Sequence, residues 1–263
     1  MGVGYIFGCL FSIILWRVDR HNIFYKMNVF IRKRLQNKVA LQLFYSVLII
    51  AISYLVITSK KGEFQNFLVA FFVIEISNSE RKTIFGKAVD KKHFYDTLSV
   101  ISKALVCGFI APLLYIVLFG NIGGVVYTLV YYISYDSTLI LYNYLIKIFN
   151  ALPSLIAAFI LYLIYIPRNK TFKIDFKGDF ITNIFYEPLL NIYILSAYIE
   201  SVNFYHHFEK KKVHYLTSYG VYTNKIDEGA IKDFLSLIYG VSFVIFISFW
   251  AYEAYIIKLA SNT

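Results

Sequence analysis

At 263 residues, 59% hydrophobic and only 16% charged, with 24 Tyr and 25 Phe, the chain carries far more apolar surface than one soluble core of that size can bury. That balance excludes an ordinary soluble domain and makes the chain an integral membrane protein. Its net charge of +10 calls for no nucleic acid as partner, because membrane proteins concentrate Lys and Arg in cytoplasmic loops.

A bilayer core of about 30 Å takes about 20 apolar residues as helix. Eight segments approach that length: 2–16, 39–58, 64–78, 104–119, 121–142, 151–167, 187–204 and 234–257. The second, fifth and last satisfy both length and apolarity. Segment 64–78 is short and ends with Glu75, so it either crosses or dips into the interface, which would change the parity of every later span. Segment 2–16 has no Lys or Arg before its apolar run and is read as part of the mature protein rather than a secretory signal.

With eight spans and an outer N-terminus, loops 17–38, 79–103, 143–150 and 205–233 fall on the cytoplasmic side and hold 19 of the 26 Lys and Arg. The outer segments, Arg168 among them, hold 7. The expected architecture is an all-α, polytopic bundle of about 6–8 transmembrane helices with both termini outside. It forms one membrane domain over residues 1–263 in a prokaryotic cytoplasmic membrane, multi-pass, with polar cytoplasmic loops 17–38, 79–103 and 205–233. Loop 17–38 interleaves Arg17, Arg20, Lys26, Arg32, Lys33, Arg34 and Lys38 with Trp16, Phe24, Tyr25 and Phe30, a pattern suited to lying along anionic headgroups or to recognising phosphate.

Ionisable residues inside a bilayer are costly, so each is a candidate functional group. Asp136, beside Ser134 and Ser137, lies about six residues from the inner end of span 121–142, on the order of 9 Å deep. It is open to an interhelical hydrogen bond, with Tyr132, Asn143 or Asn150 as partners, or to a metal or substrate role. Glu200, Ser201 and Asn203 lie at the inner end of span 187–204, while Glu75 and Glu253 read as interfacial. His206, His207 and His214 have no acidic or Cys partner at ligand spacing, and Cys9 and Cys107 show no paired spacing, so no zinc site or disulfide is indicated. Nor does the sequence contain a Walker A lysine motif, G-x-G-x-x-G, HExxH or G-x-S-x-G.

Four landmarks in order carry a resemblance: Gly108, Ala111, Pro112 and Leu113 in GFIAPL, then Asp136-Ser137, then Asn150 and Pro153 in NALPSL, then Pro188, Ser196 and Ala197 ahead of a tail with Tyr219-Gly220, Gly229 and a helix starting near Ile231. This order resembles the CobD/CbiB family of cobalamin-biosynthesis membrane proteins over residues from about 90 to 245. The resemblance implies an amide synthase that joins aminopropanol or its phosphate to adenosylcobyric acid, with ATP and Mg²⁺ and no covalently held cofactor. It further implies catalytic Asp136, Ser137 and Asn150, substrate contacts at Lys103, Glu200, Asn203 and Tyr219, and Asp136 as metal ligand. Its partners would be the lipid bilayer and a corrinoid, with an oligomer or partner protein as a further option and no nucleic acid. In the topology drawn from Lys and Arg, residues 99–107, 136–137, 150 and 200–203 all reach one cytoplasmic rim, as such a site would require.

The departures from that family weigh against its chemistry. Where the family has acids and an asparagine in its first motif, this chain has Ser99, Lys103, Ala104 and Cys107; its third-motif aspartates are Ile146 and Lys147. An ATP-dependent ligation needs carboxylates to hold Mg²⁺ and accept the amine proton. A non-catalytic relative that keeps the fold for membrane interaction or regulation, akin to the AmpE-type proteins, is therefore the alternative. A small-solute transporter hinged at Gly120, Gly123 and Gly124 is the third.

Overall fold

The fold is given by a computed structural model that describes residues 2–15, 20–75, 91–202, 204–210, 213–220 and 228–261. In chain order the helices are α1 (Val3–Ile14), α2 (Arg20–Arg34), α3 (Lys38–Thr58), α4 (Glu63–Val73) and α5 (Lys91–Leu105), then a π-helical turn over Val106–Ile110. There follow α6 (Ala111–Ile133), α7 (Ile140–Asn169), α8 (Phe180–Tyr186), α9 (Leu190–Ile199) and α10 (Glu228–Ser261). Between α9 and α10 the strands β1 (Phe204–Lys210) and β2 (Val213–Tyr219) form an antiparallel hairpin in which Phe204 faces Tyr219 and Lys210 faces Val213. The helical expectation therefore holds except for this hairpin, which replaces part of the polar loop expected over 205–233. Both strands are rich in aromatic residues, the composition that suits extended pairing.

Four helical runs are long and apolar enough to cross a membrane: Lys38–Thr58, Thr97–Ile133, Ile140–Asn169 and Gly229–Tyr255, with mean hydropathy from 2.0 to 2.2. In α3 the side chains Val39, Leu43, Val47, Ile50 and Leu55 are all exposed. Apolar surface on that scale costs roughly 25 cal/mol per Å² in water, and lipid removes the cost.

Three expected spans are too short to cross alone. Segments 2–16, 64–78 and 187–204 contain helices of 12, 11 and 10 residues, about 18, 17 and 15 Å long at about 1.5 Å per residue. Helix α9 begins only after the turn at Glu187, and Ser201, at φ 53°, turns the chain away past its end.

The division expected between spans 104–119 and 121–142 falls at Gly120, whose φ of 70° is the left-handed region that favours glycine. There the chain folds back on itself. A Cβ on Gly123 would lie 2.3 Å from the Tyr115 carbonyl oxygen, and one on Gly124 would lie 2.6 Å from Cγ1 of Ile116. The Tyr115 and Tyr127 rings stack across the fold at 5.2 Å. Helix α6 is thus a tight helical hairpin, and its returning arm ends at Ile133 rather than near 142.

By its internal packing the chain divides into two compact units. The first comprises residues 1–78, 107–149 and 242–263, the second 79–106 and 150–241. In the first, α1 and α4 run parallel: Gly4 sits against the Glu63 carbonyl, Gly8 against that of Phe67, and Ser12 donates to the Ile74 carbonyl. Glycines four apart let two backbones approach closely. Its core gathers Leu41, Tyr45, Val130, Ile133, Leu139 and Tyr142. In the second unit α5 meets α9 through Ser102 and Ser196, whose hydroxyls lie 2.8 Å apart, and Asn183 donates to Asn191 at 2.9 Å.

Candidate functional site

In the first unit the site is built on the turn between α6 and α7. The Asp136 N–H donates to the Ile133 carbonyl and Leu139 N–H to that of Asp136, closing the turn. Asp136 Oδ1 accepts from the Thr138 N–H at 3.0 Å and the Thr138 hydroxyl at 2.7 Å, a side chain to backbone closure that Asp favours in turns. This closure stops the span at Ile133 and places Asp136 in a turn rather than within an apolar helix. Asn143 donates to the backbone carbonyls of Asp136 and Ser137, whereas the Tyr132 hydroxyl donates to Glu75.

Helix α2 completes the site. Arg32 Nη1 lies 3.4 Å from both Asp136 oxygens, and Asn28 Nδ2 lies 3.4 Å from Oδ2 while its own oxygen accepts from the Tyr45 hydroxyl. The Asp136 side chain is 4% exposed and that of Arg32 51%. Burial pushes the Asp136 carboxyl up, but the two Thr138 donors, then Arg32 and Asn28, carry it below its ordinary value. Tyr25, Asn28, Val29, Arg32, Tyr132, Tyr135, Asp136 and Ser137 enclose a cavity of about 200 Å³, open on one side.

Behind that wall lies a polar network that the sequence alone does not reveal. The Tyr132 hydroxyl donates to the buried Glu75 carboxylate, and the Phe24 ring stacks on Tyr132 at 4.4 Å. Buried Arg20 donates to the carbonyls of Phe71 and Phe72 and to Ser12, satisfying the C-terminal carbonyls of α4. At the other end Glu63 accepts from the N–H groups of Gly2 and Gly4 at 2.8 and 2.7 Å, and those bonds hold its carboxyl below the usual range. One acid and one arginine thus cap the paired helices, a role invisible until α1 and α4 are seen to run in parallel.

In the second unit Arg168, in the last turn of α7, reaches Glu200 at 3.0 Å and Asp233 at 2.7 Å. The expectation that placed Arg168 outside and Glu200 inside is corrected: one ion cluster holds both. Helix α9 is too short to carry Glu200 across a bilayer from Arg168. Burial raises the Glu200 carboxyl to about 7, with Arg168 opposing and Asp233 adding to the rise. Ser201 donates to Asn169 at 2.8 Å beside this cluster.

Of the remaining predicted site residues, Asn150, Lys103 and Tyr219 belong to the second unit. Asn150 is buried in α7, Lys103 half-buried in α5, and Tyr219 buried at the end of β2 with the Lys177 ammonium 5.3 Å from its ring centre. Asn203 lies outside the described residues. Asp136 and Ser137 belong to the first unit, so no compact cluster containing all seven is formed within either unit.

The chemistry of the donors decides the fit of a metal. Mg²⁺ requires several oxygen ligands, whereas the groups around the Asp136 carboxylate are N–H and O–H donors and a guanidinium. Among the described residues no group of three or more His, Cys, Asp or Glu is placed to hold an ion. The residues do not fit Mg²⁺. The cavity volume lies below the roughly 300 Å³ at which pockets for drug-sized ligands begin. Comparison with family models, curated proteins and solved structures finds no match.

Proposed function

We propose that this chain is a divergent membrane protein of the CobD/CbiB type, with its N-terminus outside and α2 on the cytoplasmic surface. The ordered landmarks from Gly108 to Gly229 support the family, and three features of the first unit are in keeping with it. GFIAPL forms the π turn and first arm of a tight helical hairpin, Gly120 turns it, and the Asp136-Ser137 pair follows its second arm on the side where the basic helix lies. The parallel course of α1 and α4 also agrees with two short segments entering from the same face.

Of the functions open to such a protein, a non-catalytic role in membrane interaction or regulation is the best supported. The single observation that carries it is the state of Asp136. Its oxygens are filled by Thr138, Asn28 and Arg32, so the carboxylate fixes a turn and an arginine instead of holding a metal or accepting an amine proton. Two of the replaced family positions, Ala104 and Cys107, are packed in apolar interior where an unpaired acid would be costly.

The second reading, an active amide synthase, is favoured by the matched Asp-Ser pair at a basic rim. The test is to supply purified protein with adenosylcobyric acid, ATP, Mg²⁺ and aminopropanol or its phosphate. The expected result is no amide. Product whose formation is lost in Asp136→Asn would overturn the non-catalytic role, and failure of the corrinoid to bind at all in an absorbance titration would remove the support for a corrinoid connection.

A further inference from the structure

We propose that the cavity between α2 and the α6–α7 turn is a specific seat for the phosphate of an anionic membrane lipid, with Arg32 as the residue that contacts it. The proposal goes beyond the family reading and is tested without any corrinoid or ATP.

Arg32 reaches Asp136 through Nη1 alone, and among the described residues its Nη2 and Nε make no hydrogen bond. A guanidinium held at one nitrogen by a carboxylate keeps its remaining donors for a second anion, and that planar fork suits a phosphate. Asp136 is therefore a positioning residue, and its charge is already met by Arg32 and the Thr138 donors. Tyr25 and Ser137 also line the same cavity, whose volume of about 200 Å³ suits a headgroup fragment.

The surroundings select a lipid as carrier of that phosphate. Helix α2 holds five basic residues and no acidic one. It also exposes Ile23, Tyr25, Val29 and Phe30, and Arg34 lies over the Phe30 ring at 5.7 Å. A helix that exposes cations and apolar side chains together belongs at the level where headgroups meet acyl chains. It leads within four residues into α3, which exposes Val39, Leu43, Val47, Ile50 and Leu55 along its length. A phosphate drawn to α2 there arrives with its acyl chains at hand.

The test exchanges purified protein into a neutral detergent, adds phosphatidylglycerol or phosphatidylcholine, and counts retained lipid by native mass spectrometry. One phosphatidylglycerol per chain is expected to be retained in preference to phosphatidylcholine. Arg32→Gln should weaken retention about tenfold, as loss of a charge-assisted contact does, whereas Lys33→Gln with Arg34→Gln, on the same helix outside the cavity, should change it much less. Should Arg32→Gln fail to fold, protection of Arg32 from phenylglyoxal in the wild-type chain gives the same answer. Equal loss in both variants, or no saturable binding, would mean diffuse surface attraction and overturn the proposal. Glycerol 3-phosphate protecting Arg32 as well as the lipid does would overturn the lipid as occupant.

Discussion

Asp136 and Glu200 are both buried carboxylates facing an arginine, yet their proton affinities move in opposite directions. Asp136 closes a turn on two Thr138 donors, with Asn28 and Arg32 adding theirs, and its carboxyl falls below the ordinary range. Glu200 has Arg168 opposite but must share it with Asp233, and burial lifts its carboxyl to about 7. Supply of hydrogen-bond donors, more than the presence of one cation, decides whether a buried acid keeps its charge. That difference separates a carboxylate fixed as structure from one able to change state near neutrality.

The largest effect should come from Arg168→Met. At pH 8, about one unit above the raised Glu200 value, loss of the cation drives a proton onto the buried carboxylate and should add about 1.4 kcal/mol to the loss of the Asp233 pair, read as a fall in melting temperature in detergent. At pH 5.5, where Glu200 carries a proton, the cost should be much smaller; an equal cost at both pH values would contradict the account of Glu200. Next comes Asp136→Asn, which loses the ion pair but keeps an oxygen for Thr138, and should cost about 1–3 kcal/mol at pH 7.

The pH dependence carries opposite signs at the two sites. Because the Glu200 carboxyl is raised from 4.5 to about 7, its contribution to stability is complete below the lower value and is lost as pH rises through the upper. Glu200→Gln should flatten that slope and leave stability at pH 8 unchanged or improved. The Asp136 contribution is present above its ordinary value of 3.8 and is lost as pH falls through the lowered one, so Asp136→Asn should remove a loss of stability confined to strong acid. The reverse pattern in either melting curve would break the contrast between the two acids.

Much of the fold is legible in the sequence because hydropathy and glycine act locally. The apolar run over 39–58 matches α3, and the break between 119 and 121 falls at Gly120. Span lengths fail where tertiary groups end a helix: Arg20 on the carbonyls of α4, Thr138 on Asp136, and Ser201 in the left-handed region. Charge counting places Arg168 and Glu200 on opposite sides because it treats each apolar segment as a crossing. Asp136 is found from sequence as the rare acid in an apolar stretch, and Arg32 as one of seven basic loop residues. Their pairing is not, since it joins residues 104 apart through the packing of α2 on a turn.

The most direct measurement of the central claim, that Asp136 is an ion-pair and turn residue rather than a metal ligand, is a Mn²⁺ titration of the purified protein followed by electron paramagnetic resonance, with Mn²⁺ standing in for Mg²⁺. The account predicts no saturable Mn²⁺ site that depends on Asp136. One Mn²⁺ bound per chain and lost in Asp136→Asn would contradict it.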